Sequence, residues 1–156
     1  MSENLLIGLV TMTVCLSIQC VVVGALLDAI VFLEKKGLIR HTLVGVSSLL
    51  VAVMLLMLAG NLVQITLWAG LFFTCGEFKE FATAFYHSVV NFATLGYGDI
   101  VMSEKRRLLG ALEAANGGMM FALTTGFLYT ILSGILERYW DEQIGQNSKS
   151  KKVCLK

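Results

Sequence analysis

Apolar residues run along this chain in long unbroken stretches, and the lengths of those stretches predict its elements. Residues 5–33, LLIGLVTMTVCLSIQCVVVGALLDAIVFL, and residues 43–73 each exceed the roughly 20 residues a helix needs to cross the hydrocarbon of a bilayer. A third stretch, residues 108–136, is interrupted only by Glu113 and Asn116. Between the second and third lie residues 79–93, KEFATAFYHSVVNFA, apolar and aromatic on one side but carrying His87, Ser88 and Asn91. This segment is too short to cross, so it reads as a helix that enters the membrane and returns. Backbone of that kind is tolerated at membrane depth only where protein buries it or water lines it, which makes the segment a functional clue. The expected fold is an all-α membrane protein with three transmembrane helices and one re-entrant helix. Its parts are an N-terminal helix and loop (1–42), a central unit (43–137) and a short tail (138–156).

Composition narrows the function. With 56% hydrophobic and 15% charged residues, the chain lies outside the balance of soluble domains. Twelve basic residues against 11 acidic ones leave a net charge of +1, so no global basic field exists to gather nucleic acid. No nucleophile, base and orienting group stand together in a polar segment, so no enzymatic activity is expected. Cys15, Cys20, Cys75 and Cys154 lack the paired spacing of a zinc site or a disulfide framework, and no cofactor is expected. Proline is absent, which leaves bending to the 15 glycines.

Ahead of the first apolar stretch the only charged residue is Glu3, unlike the basic start of a cleaved signal, so that stretch is expected to persist as a helix. Basic residues set the orientation, because cytoplasmic flanks are enriched in them. Lys35, Lys36, Arg40, Arg138, Lys149, Lys151, Lys152 and Lys156 lie on one side, and Lys79, Lys105, Arg106 and Arg107 on the other. The loop 34–42 and the C-terminus are therefore expected in the cytoplasm, and the N-terminus outside the plasma membrane. The tail NSKSKKVCLK reads as disordered and basic, with Cys154 open to palmitoylation but outside a prenylation box. Neither of the first two spans carries Arg or Lys at every third position, so no voltage sensor is expected, and the short tail leaves no room for a gating domain.

Directly after the re-entrant segment comes Thr94-Leu95-Gly96-Tyr97-Gly98-Asp99. A pore that passes a bare potassium ion must replace its water shell with oxygens at fixed spacing, and consecutive backbone carbonyls can do so. Such carbonyls face one side only if the dihedrals alternate in hand, and Gly96 and Gly98 take left-handed values at little cost. Tyr97 points away and braces the strand, and the Thr94 hydroxyl adds an oxygen at the inner mouth.

On this motif and its setting the chain resembles the pore-loop potassium channels, whose known signature TLGYGD reproduces. The resemblance covers residues 43–137, as outer helix 43–73, pore helix 79–93, filter 94–99 and inner helix 106–137. It resembles small bacterial channels with two transmembrane helices and a pore loop, here with an extra N-terminal helix. The resemblance implies a potassium-selective channel, with ions bound at Thr94, Leu95, Gly96, Tyr97 and Gly98. It also implies a homotetramer in membrane lipid, the pore helix aiming the negative end of its dipole at a central cavity. Leu95 stands where the family has Val or Ile, and Ala93 where many members have a second Thr. A weakly selective cation channel and a non-conducting interaction subunit are the competing readings.

Support for the filter is expected from Asp99, His87, Tyr86, Glu113 and Asn116. Tyr86 and His87 take the places of two aromatics that brace the filter tyrosine. Val90 replaces a Glu that in some members pairs with the Asp after the filter, so Asp99 needs another partner or stays solvated. His87 is expected to be neutral and bonded to Tyr97 or Asp99, with a pH sensor as the alternative. Glu113 and Asn116, at i and i+3, either hydrogen-bond the back of the pore helix or filter loop and stiffen it, or serve helix packing, Glu113 being protonated in the second case. Gly117 and Gly118 read as a gating hinge or as a close helix contact. By position, Met119, Ala122, Thr124, Thr125 and Gly126 line the cavity. Gln19, Asn61 and Gln64, near mid-bilayer, suggest interhelical hydrogen bonds. The N-terminal helix can wrap its own pore domain, pack on a neighbouring subunit or bind a second membrane protein.

Overall fold

A computed structural model describes the backbone of residues 2–36 and 43–153, with side chains for 2–36 and 44–137. The loop 37–42, the basic side chains beyond 137 and Cys154 lie outside the described residues. Four helices follow in order: α1 (Ser2–Lys35), α2 (Leu43–Thr74), α3 (Phe81–Phe92) and α4 (Arg107–Val153). No strand occurs among the described residues. Each predicted stretch is a helix, and α1, α2 and the Arg107–Glu137 part of α4 are long and apolar enough to cross a membrane.

Most boundaries shift by a few residues, and two departures have a visible cause. Glu80 is the N-cap of α3, in extended conformation at φ −126° and ψ 136°, so α3 starts later than residue 79. The tail is not irregular: α4 continues through it to Val153. No proline interrupts that stretch, and its Lys, Gln and Glu residues are good helix formers, so the intrahelical ladder simply continues.

Both α1 and α3 pack on α2 and α4. One core cluster joins all four helices through Cys15, Ile65, Trp68, Phe72, Phe92, Leu109 and Met120. A second, toward the opposite end, gathers Leu26, Val53 and Met57 under Phe127, Leu128 and Ile131. Outside these clusters the helices present large apolar side chains outward, including Leu6, Val21 and Val44. Such a surface suits lipid and not water.

The placement of α1, open in the sequence, is settled for the single chain. Gln64 Nε2 donates to Gln19 Oε1 at 2.8 Å, and Gln19 Nε2 contacts Met57 Sδ at 3.3 Å, all buried. Near its start, Asn4 Nδ2 donates to the Lys105 carbonyl at 2.5 Å. The beginning of α1 therefore lies beside the segment that leads into α4. That segment is tied to the end of α2, where Glu77 accepts from Ser103 N at 3.0 Å and from Ser103 Oγ at 2.8 Å, with Arg106 Nε 3.5 Å away.

Candidate filter segment and its support

α3 ends where its backbone must turn. Leu95 N donates to Val90 O and Thr94 N to Asn91 O, both at 2.9 Å, closing the last turn over the helix end. Beyond it, three alternate residues have positive φ: Thr94 at 57°, Gly96 at 58° and Gly98 at 75°. Leu95 and Tyr97 between them do not. This is the alternation in hand anticipated from the two glycines, extended by one step to a β-branched residue. Left-handed backbone is rare for such a residue and costs of order 1–2 kcal/mol. Thr94, Leu95, Gly96, Tyr97, Gly98 and Asp99 are all exposed on the single chain, Leu95 by 53% and Tyr97 by 67%.

Asp99 finds its partner on α3. Tyr86 Oη donates to Asp99 Oδ2 at 2.8 Å, and this bond, with the nearby negative charge, raises the tyrosine pKa above its ordinary value. The next side chain points elsewhere. His87 bonds neither Tyr97 nor Asp99, contrary to the sequence-based expectation; its Nδ1 lies 3.2 Å from the Ile100 carbonyl. One residue along a helix rotates the side chain by about 100°, so Tyr86 faces outward while His87 turns into the aromatic wall. There the Phe72 ring meets the imidazole edge-on at 5.7 Å, and Phe78 lies at 5.1 Å. Nδ1 carries the proton toward Ile100 O, and Nε2 is buried without a partner. Burial lowers the His87 pKa, opposed by the Ile100 bond and by Asp99, so the neutral form is favoured.

Behind α3, Glu113 accepts a hydrogen bond from Asn91 Nδ2 at 3.0 Å, and the same amide donates to the Gly110 carbonyl at 2.8 Å. Glu113 thus reaches the back of α3 as expected. Asn116 does not; it is fully buried against Cys15 of α1. Sequence reasoning passed over Asn91 as one polar residue among several. Only the structure marks it, since a Cβ at Gly110 would stand 2.9 Å from Asn91 Nδ2.

The paired glycines separate. A Cβ at Gly117 would overlap the Phe92 carbonyl oxygen, so α4 approaches the end of α3 backbone to backbone at this point. Gly118 faces open space. Met119, Ala122, Thr125 and Gly126 are exposed and Thr124 is half-buried. Both threonine hydroxyls donate to their own helix, Thr124 to Met120 O and Thr125 to Phe121 O at 2.9 Å. Between α3, the segment 96–102 and the start of α4 lies a cavity of about 440 Å³, lined by His87, Asn91, Gly96, Gly98, Glu104 and Arg107 among others.

A backbone of alternating hand, set at the end of a short helix and braced from two spanning helices, is the framework of a pore-loop channel. The family model described as "Ion channel" matches residues 52–134, more than half of the chain, running from α2 through α3 and Thr94–Asp99 into α4. The chain therefore belongs to this ion-channel family and is a multi-pass membrane protein. All of α1 lies outside the match. Neither the curated proteins nor the solved structures contain a match to the chain.

Proposed function

We propose that the protein is a potassium-selective channel that passes K+ down its gradient through a filter formed by residues 94–98. The observation that carries the reading is the positive φ at Thr94, Gly96 and Gly98 within TLGYGD. Alternation of hand lets successive carbonyls face one side, which is what a dehydrated cation needs. One chain supplies one wall, and the exposure of Leu95 and Tyr97 accords with a filter completed by other copies. The assembly is a homotetramer about the conduction axis. In it α3 is the re-entrant pore helix, aiming its C-terminal carbonyl end at the cavity.

Each further residue then has a role. Asp99, held by Tyr86, fixes the outer end of the filter, and His87 anchors the strand through Ile100. Glu113 and Asn91 hold the pore helix against the inner helix. Met119, Ala122, Thr124, Thr125 and Gly126 line the cavity, and Gly118, where an added Cβ would meet nothing, is the hinge of the inner helix. The protein resides in the plasma membrane with its N-terminus outside.

Flux into liposomes containing only the purified protein tests this. Uptake driven by a potassium gradient, little uptake with sodium, and block by external barium are expected. Equal flux of both ions would replace the reading with a weakly selective cation channel shaped by Leu95 and Ala93. No flux from protein verified as tetrameric would favour a non-conducting subunit.

A further inference from the structure

Between the four helices lies a group of buried polar side chains whose hydrogen-bonding capacity is unmet. Trp68, Ser88, Glu113 and Asn116 are each 0% exposed. Trp68 Nε1, Ser88 Oγ, Glu113 Oε1 and both amide atoms of Asn116 have no hydrogen-bond partner among the described residues. They are neighbours: Ser88 faces the Glu113 carboxyl without closing a bond, and Cys15 lies against Trp68 and Asn116 with Glu113 nearby. Apolar residues surround them, including Phe72, Phe92, Leu109 and Met120. A buried polar group left without a partner bears its full desolvation cost, and native structures meet nearly all such groups with protein or ordered water.

The chemistry of the set selects its occupant. The indole N–H only donates, Glu113 Oε1 accepts when the carboxyl is ionised and donates when it carries the proton, and the Ser88 hydroxyl and Asn116 amide do both. A bare cation would face the indole N–H, which can only donate; an anion would meet the carboxyl oxygen. Water both donates and accepts, and it needs two to four polar partners.

We propose that the helices enclose an internal water site behind α3, held by Glu113, Asn116, Ser88 and Trp68 and closed on the α1 side by Cys15. The water extends the direct α3–α4 link made by Asn91 into a network that also includes α2. A thiol is small and a weak hydrogen-bonding group, so Cys15 seals the site without competing for its occupant. The helix outside the family match thereby completes the support of the segment inside it.

The chain has two tryptophans, Trp68 and Trp140, so indole ¹⁵N labelling with a Trp140→Phe control assigns the Trp68 signal. Solid-state NMR of the full protein in bilayers then measures magnetisation transfer from water to that N–H. Transfer several times faster than to the neighbouring Ile65 side chain is expected, slowed severalfold in Asn116→Leu. Transfer no faster than at Ile65, or unchanged in a folded Asn116→Leu, overturns the proposal. A structure of the unsubstituted protein fine enough to place waters tests it without any variant. Density within hydrogen-bond distance of Glu113 Oε1 and Asn116 supports it. A dry site in which Ser88 bonds Glu113 and Trp68 bonds Cys15 overturns it, as does an anomalous signal at this position after thallium replaces potassium.

Discussion

At Gly96 and Gly98 the absence of a Cβ matters for conformation and not for space, since an added Cβ would touch nothing within 4 Å in the single chain. Gly96→Ala and Gly98→Ala are therefore expected to assemble and yet lose selective potassium flux, because alanine opposes the φ values of 58° and 75°. Flux in both variants, measured beside their tetramer content, checks this. His87 gives a pH prediction with a definite sign. Burial lowers its pKa from the ordinary value of 6.5. Above that value the ring is neutral in folded and unfolded chains alike, and it adds no pH dependence. As pH falls below it, the unfolded chain takes up the proton first, so stability declines until the folded ring protonates too. Thermal unfolding at pH values from 7.5 to 5 is expected to show this loss in the parent, and His87→Phe is expected to reduce it.

Helix α4 carries a contrast that separates packing from hinging. Gly117→Ala is expected to destabilise the protein by about 1–3 kcal/mol, since the new methyl group meets backbone that cannot move aside. Gly118→Ala meets nothing and is expected to stiffen the helix, with a gain of up to about 1 kcal/mol and altered channel opening. Denaturant titration of tetramers and single-channel recording distinguish the two. The helices themselves were legible because apolar length alone decides the three long ones, and because the stretch that forms α3, a 12-residue helix, is visibly too short to cross. The two glycines were not separable in sequence, where both sit mid-helix; only the backbone of Phe92 distinguishes them. His87 escaped for a similar reason. Its place among the residues that brace the filter suggested a bond to Tyr97 or Asp99, but the rotation of α3 gives Asp99 to Tyr86 and turns His87 to Ile100. The continuation of α4 was obscured by a polar composition that suits an exposed helix as well as a loose tail.

For the molecule as a whole, α1 is the element on which neither the motif nor the family match bears. Its attachment rests on the Gln19–Gln64 bond, the Cys15 contact and Gly8, whose Cβ would run into Leu112. Gln19→Leu is expected to weaken this attachment by about 0.5–2 kcal/mol, the range of polar contacts between membrane helices. Gln19→Leu with Gln64→Leu is expected to recover part of the loss, because no unpaired amide then remains. Steric-trap or denaturant measurements on the single and double variants give the coupling directly. The Asn4–Lys105 bond also bears on how the protein can be handled. Because the first turn of α1 lies beside the segment that follows Thr94–Asp99, a peptide fused ahead of Ser2 would be tethered close to the outer mouth of the proposed conduction path. A cationic fusion there would behave as a built-in plug, released by cutting the linker, so proteolysis during recording would report its position as a step in current.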